Sequence, residues 1–201
     1  MARDRAARPE ARPLRLFAAV DIPERARDAV VAAVEPWRER FPAGRWVRSE
    51  NWHVTVKFLG RTWPRLVEWV HDMCREAAAG IRPFRLGLDG IGVFPGPTRA
   101  RILWVGLEDE EGSLAALARA VENRLSKEFP TEKRPFSAHL TVARFNPPVP
   151  MRDHAEELAA AEVRARPFRV GHLTLYRSHL SPRGVRYEPL ERFPLRGSPA
   201  R

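Results

Sequence analysis

The sequence predicts an α+β fold of interleaved strands and helices, and three observations support it. Runs that alternate with period two, such as HVTVKF at 53–58, are separated by runs with helical periodicity, such as 64–79. The 201 residues, 44% of them hydrophobic, suffice for one sizeable domain or two small lobes sharing a core. A short motif also recurs after a helix in each half: HVTV at 53–56 and HLTV at 139–142, with histidines 86 residues apart (139 − 53). That recurrence fits either two strands with similar needs or a duplication that left two related lobes.

Taken in order, LRLFAAVD at 14–21 is an apolar run ending just before Pro23, a buried strand followed by a helix start. From 24 to 40, Ala29, Val30, Ala33, Val34 and Trp37 recur at helical spacing, Pro36 falls late in the helix, and Pro42 and Gly44 mark its end. Residues 45–60 contain a strand with two unlike faces, because Val54, Val56 and Phe58 alternate with His53, Thr55 and Lys57. The clearest helix is 64–79, where Leu66, Trp69, Val70, Met73 and Ala77 form one apolar stripe. Cys74 lies beside that stripe and reads as a packed thiol. Strands follow at 84–94 and 101–107, joined by the turn-rich PGPTR at 95–99. Ser113 is the candidate cap of a third helix carrying Leu114, Leu117, Val121 and Leu125. FSAHLTVARF at 136–145 reads as a strand that NPPVP at 146–150 breaks, and an alanine-rich helix follows around 152–163. Two strands, 168–180 and 185–193, close the chain as a hairpin about SPRG. Residues 1–13 are expected to form a loose basic tail, 14–196 the domain and 197–201 a frayed end.

No apolar run approaches the roughly 20 residues of a membrane span. The charged opening MARDRAARPEAR lacks the apolar core of a signal peptide, so no membrane partner is expected. The single cysteine excludes a disulfide within the chain and a cysteine metal cluster, in keeping with a reducing, cytoplasmic setting. A formal charge of +10 favours polyanionic partners, RNA or DNA above all. Only Lys57, Lys127 and Lys133 among the 35 basic residues are lysine, and an arginine bias that strong equally fits a GC-rich genome. Charge alone therefore decides nothing.

The chemistry lies in the repeated motif. On a strand, residues i and i+2 share a face, so His53 projects with Thr55, and His139 with Thr141, while Val54, Val56, Leu140 and Val142 pack behind them. Two such strands face to face make a cleft with two imidazoles and two hydroxyls. That set suits a phosphodiester: a neutral histidine takes a proton from water, a protonated one gives a proton to the departing ribose oxygen, and the hydroxyls hold the non-bridging oxygens. Histidine, with an unperturbed pKa of about 6.5, keeps both forms available near neutrality. No cofactor or metal is required, and the sequence has neither a zinc-binding helix motif nor a phosphate-binding glycine loop. A third match, HLTL at 172–175, makes His172 and Thr174 competitors. They follow His139 by only 33 residues (172 − 139), inside the terminal hairpin, with no equivalent lobe around them. Lys57 shares the face of His53 and Thr55 by strict alternation; it either attracts an RNA backbone or is a solvated strand-edge residue.

With two His-x-Thr-hydrophobic motifs in this order, the chain resembles the 2H phosphoesterase superfamily, and within it the RNA 2′,3′-cyclic phosphodiesterases, historically called 2′-5′ RNA ligases. The flanking stretches LRLFAAVDIP, WVRSENWHVTVKFLG, GIGVFPGPTRARILWVGL, FSAHLTVARF and LYRSHLSPRGVRYEPLERFPL carry the resemblance over nearly the whole chain. It implies a bilobal fold with pseudo-twofold symmetry, antiparallel sheets lining a central cleft and helices outside. It also implies hydrolysis of a cyclic phosphate to a 2′-phosphomonoester, with His53 as proton donor, His139 as proton acceptor, and Thr55, Thr141 and Arg144 binding phosphate. Strict alternation puts Arg144 on the face opposite His139, so it reaches the cleft only past a bulge or at a strand end. The implied partner is RNA with a 2′,3′-cyclic phosphate end, a class that extends to tRNA fragments and cyclic nucleotides. The cleft needs only one chain, so a monomer is expected. A 2′-5′ RNA ligase running the chemistry backwards and a catalytically silent RNA-binding protein are the rival readings. Replacing His53 or His139 is expected to abolish turnover, whereas replacing His172 is not.

Overall fold

A computed structural model describes residues 12–181 and 184–197. The expected N-terminal tail and frayed C-terminus, and the middle of the SPRG turn, lie largely outside them. Strand β1 (Leu14–Asp21) is apolar on both faces because it is central in the sheet, with Leu16 to Val20 all buried. Helix α1 (Glu24–Arg40) starts after Pro23 and buries Ala26, Val30, Val34 and Trp37. Residues 45–60 divide into a two-residue strand β2 (Arg45–Trp46), a 3-10 turn (Ser49–Asn51) and β3 (His53–Thr62). Helix α2 (Pro64–Ala79) follows, with Pro64 where a missing N–H costs nothing. Its Cys74 is fully buried and its thiol is pushed up to about 12, chiefly by desolvation, so it packs rather than reacts.

Next come β4 (Phe84–Phe94), β5 (Ala100–Glu108), α3 (Ser113–Leu125), β6 (His139–Val149), α4 (Ala155–Ala160), β7 (Phe168–Val170), β8 (His172–Ser181) and β9 (Gly184–Pro194). Three expectations are corrected here. Ser113 does not cap α3; its first turn is capped by Asp109, whose two carboxylate oxygens accept from the N–H groups of Leu114 and Ala115 at 3.1 and 3.0 Å. Gly112 holds the positive φ of 65° that turns the chain into this arrangement. Asp109→Ala is expected to cost roughly 0.5–2 kcal/mol, measurable as a lowered urea midpoint at unchanged slope. Secondly, NPPVP does not break β6, which runs to Val149 and pairs it with Ala100. Thirdly, 168–180 is not one strand: Gly171 divides it, β7 pairing with β4 and β8 with β1.

All strand pairs are antiparallel, in the order β7-β4-β5-β6-β3-β1-β8-β9, with β2 beside β6. Read outward from its middle, the sheet is two four-strand halves, β3-β1-β8-β9 and β6-β5-β4-β7, joined where Val54 pairs with Leu140. The halves contain the same succession, β1-α1-β3-α2 and β5-α3-β6-α4. Both β1 to β5 (100 − 14) and β3 to β6 (139 − 53) span 86 residues, so the two halves repeat their strands at one spacing. β7 and β8 belong to opposite halves yet are separated only by Gly171, so the sheet must curl until these distant strands approach. The helices interlock the halves: α3 packs on β3 and α2, while α1 reaches α4 through Arg40–Glu157 at 2.6 Å.

Candidate active site

His53 and His139 each begin a strand, β3 and β6, on either side of the single Val54–Leu140 pairing. Val54, Val56, Leu140 and Val142 are buried behind them, so alternation turns His53, Thr55, His139 and Thr141 to the opposite face. All four line one cleft of about 490 Å3, together with Arg144.

The two imidazoles are held alike. Nδ1 of His53 lies 2.8 Å from the Asn51 carbonyl oxygen, and Nδ1 of His139 lies 2.9 Å from that of Ser137. A carbonyl only accepts, so both rings carry the proton on Nδ1 and leave Nε2 for the cleft. Their surroundings differ. His53 is enclosed by Phe17 at 4.7 Å and the edge of Tyr187 at 5.0 Å, whereas His139 has Phe94 edge-on at 5.2 Å. Desolvation lowers the pKa of His53; the Asn51 carbonyl and Asp21 oppose this, and the charges of Arg144 and His139 add to it. The unfolded chain then binds more protons than the folded one as pH falls below about 6.5, so His53 destabilises the fold in acid. His53→Gln removes this term. From pH 7 to pH 5 the wild type is expected to lose stability relative to the variant, as read by urea unfolding at both pH values.

Arg144 reaches the cleft because alternation fails at a bulge. β5 pairs Trp104 with Thr141 but Leu103 with Ala143, which leaves Val142 as the extra residue. Val142 and Ala143 are consecutively buried, and the next residue, Arg144, emerges on the histidine face. β3 has the same device: Ala19 pairs with Thr55 and Ala18 with Lys57, leaving Val56 extra. Val56 and Lys57 are both buried and Phe58 emerges, 59% exposed, in the cleft. Lys57 therefore does not share the face of His53, and it is neither an RNA contact nor a solvated edge. It is 3% exposed, with Nζ donating to Glu122 Oε2 at 2.7 Å and to the Pro130 carbonyl at 3.1 Å.

His172 and Thr174 stay out of this cleft. Thr174 is buried with its hydroxyl donating to Asp21, and His172 lines a separate depression. Sequence reasoning missed Phe58 and Tyr187. For Phe58 a signal existed, since it precedes Arg144 by the repeat spacing of 86 (144 − 58); Tyr187 on β9 carries none. Among the described residues, no group of three or more His, Cys, Asp or Glu is placed to hold a metal ion, and no helix is long and apolar enough to cross a membrane.

Two halves of one curled antiparallel sheet, each giving a histidine and a threonine to a shared cleft, define a protein of the two-histidine class. A protein named RNA 2′,3′-cyclic phosphodiesterase from Methanothermobacter thermautotrophicus is 32% identical over 184 residues, covering 90% of this chain and 99% of the relative. One of the same name from Thermus thermophilus is 35% identical over 201 residues, covering 94% and 93%. The crystal structure of Escherichia coli LigT complexed with 3′-AMP superposes with a TM-score of 0.73 at 27% identity, covering 91% of this chain and 98% of that one. The model of the 2′-5′ RNA ligase superfamily matches residues 26–182, and the chain belongs to that family.

Proposed function

We propose that this chain hydrolyses RNA 2′,3′-cyclic phosphate ends to 2′-phosphomonoesters, with His53 as proton donor and His139 as proton acceptor, needing neither a metal nor a nucleotide cofactor. The observation that best supports this is the meeting of two tautomer-locked imidazoles, two threonine hydroxyls and one guanidinium around a single cleft. The names of the relatives agree with it. Nε2 of neutral His139 takes a proton from water, whose oxygen bonds to phosphorus as the bond to the ribose 3′ oxygen breaks. Nε2–H of charged His53 gives its proton to that oxygen, and phosphate remains on the 2′ oxygen. Thr55, Thr141 and Arg144 hold the non-bridging oxygens, fixing the in-line geometry and offsetting the developing charge. Burial favours the neutral form of His53 in the free protein. An anionic substrate beside it favours the imidazolium, so binding is coupled to proton uptake by the group that must donate. Phe58 offers a base an apolar face on which to stack. One chain supplies every group, and small cyclic nucleotides present the same reacting atoms.

The test is incubation with an oligonucleotide ending in a 2′,3′-cyclic phosphate, in EDTA and without ATP. Conversion to a 2′-phosphate end is expected. No conversion by folded protein that still binds the oligonucleotide would overturn the reading, and so would joining to a 5′-hydroxyl RNA as the main product. Arg144→Ala is expected to lower kcat/KM about 10- to 100-fold, the worth of a charge-assisted hydrogen bond, with Arg144→Lys recovering only part because it lacks the planar fork.

A further inference from the structure

A second depression, of about 270 Å3, is framed by Arg27, Arg169, Arg192, His172 and Asp21. Strand register puts it beside the cleft. Asp21 pairs with His53, Ala19 with Thr174, and Thr174 with Arg192. Residues opposite one another, and residues two apart, share a face, so Asp21, His172 and Arg192 lie on the sheet face that carries His53.

The charge there is one-sided. Asp21 is the one carboxylate among the lining residues, and both its oxygens are engaged: Oδ2 accepts from the Thr174 hydroxyl at 3.0 Å and Oδ1 from the Tyr176 hydroxyl at 2.5 Å. Arg192 stands 3.6 Å from Asp21 with its side chain 62% exposed. Arg27 uses only Nε, donating to the Ile22 carbonyl at 2.8 Å. Among the described residues, no carboxylate lies within ion-pair distance of Arg27 or Arg169. Three guanidiniums gathered around one engaged carboxylate repel one another and raise a positive field in a concave site. The planar N–H forks of arginine match the oxygens of a phosphate.

We propose that this pocket is a second phosphate site, and that it takes a backbone phosphate of the RNA strand whose cyclic end occupies the catalytic cleft. The proposal rests on the RNA-end reading of that cleft. It gives the third His-x-Thr pair a place, with Thr174 holding Asp21 and His172 forming part of the wall. The strand is held twice, by its reacting end and by a phosphate farther along, so oligonucleotides bind better than a mononucleotide with the same end.

The experiment is a binding titration, which needs no turnover, using an RNA pentamer with a 2′-phosphate end, a nucleoside 2′-phosphate and inorganic phosphate. Arg169→Ala and Arg192→Ala are each expected to weaken the pentamer about three- to tenfold. Each is also expected to flatten the slope of log K against log salt by about 0.7, the share of one phosphate on a single strand. The mononucleotide should shift far less, and Arg38→Ala, on the exposed end of α1, should alter neither. Arg169→Lys keeps the charge without the fork and guards against a folding effect. Equal losses for both nucleotides would overturn the proposal, since the arginines would then act through the catalytic cleft. No loss for the pentamer would overturn it too. Arginine-dependent binding of inorganic phosphate with unaltered pentamer binding would assign the pocket to a free anion and overturn the RNA assignment. Arginine-dependent pentamer binding by a protein that cleaves nothing would sink the hydrolase reading and leave this one standing.

Discussion

Asparagine at His139 is expected to lower turnover of a cyclic-phosphate end by roughly 10²–10⁴-fold, the usual contribution of one general acid or base. The amide of asparagine can still donate to the Ser137 carbonyl that orients the native ring at 2.9 Å, so local structure is kept while Nε2 is lost. His53→Asn should behave alike through the Asn51 carbonyl. The double variant should be little worse than either single one, because proton removal and proton delivery serve one transition state. Binding of the 2′-phosphate product should survive better than turnover, since Thr55, Thr141 and Arg144 remain in the cleft. Initial rates and product affinities measured side by side check this. A single variant within tenfold of wild type would remove its histidine from the chemistry.

Lys57→Met is expected to destabilise the protein by about 3–5 kcal/mol if the pair behaves as fully buried. The side chain of Lys57 is 1% exposed and that of Glu122 23%, which puts the expectation at the low end of that range. Removing the lysine leaves the Glu122 carboxylate without its cation and takes a donor from the Pro130 carbonyl. Glu122 also accepts from the Glu132 N–H at 2.8 Å, so the pair tethers the segment that leads into His139 to the strand carrying His53. Lys57→Met should therefore lower kcat as well as the urea midpoint. Pairing it with Glu122→Met should recover stability, since two apolar groups replace the ion pair without leaving a charge behind. A double variant that merely adds the two losses would show that the residues are not coupled.

How much of this was legible beforehand varies element by element. α2 runs over 64–79 as its apolar stripe predicts, and β4 over 84–94, because both patterns are set by local periodicity against one core. The histidine and threonine pairs were legible because period two holds over the first three residues of β3 and of β6. It fails at Val56 and Val142. There an extra residue in one strand is defined only by the partner strand it pairs with, and with it go the burial of Lys57 and the emergence of Phe58 and Arg144. The fate of 168–180 was illegible for the same reason: Gly171 is visible, but the pairing of β7 and β8 with strands in opposite halves of the sheet is not.

By itself, then, the sequence determined the elements, their alternation and the two reactive strands, since helical and strand periodicity are properties of neighbouring residues. The tertiary structure alone decided which residues follow the histidines into the cleft, which cation is buried, and where three arginines converge. Those outcomes depend on register and on the curl of a sheet whose interacting strands are far apart along the chain.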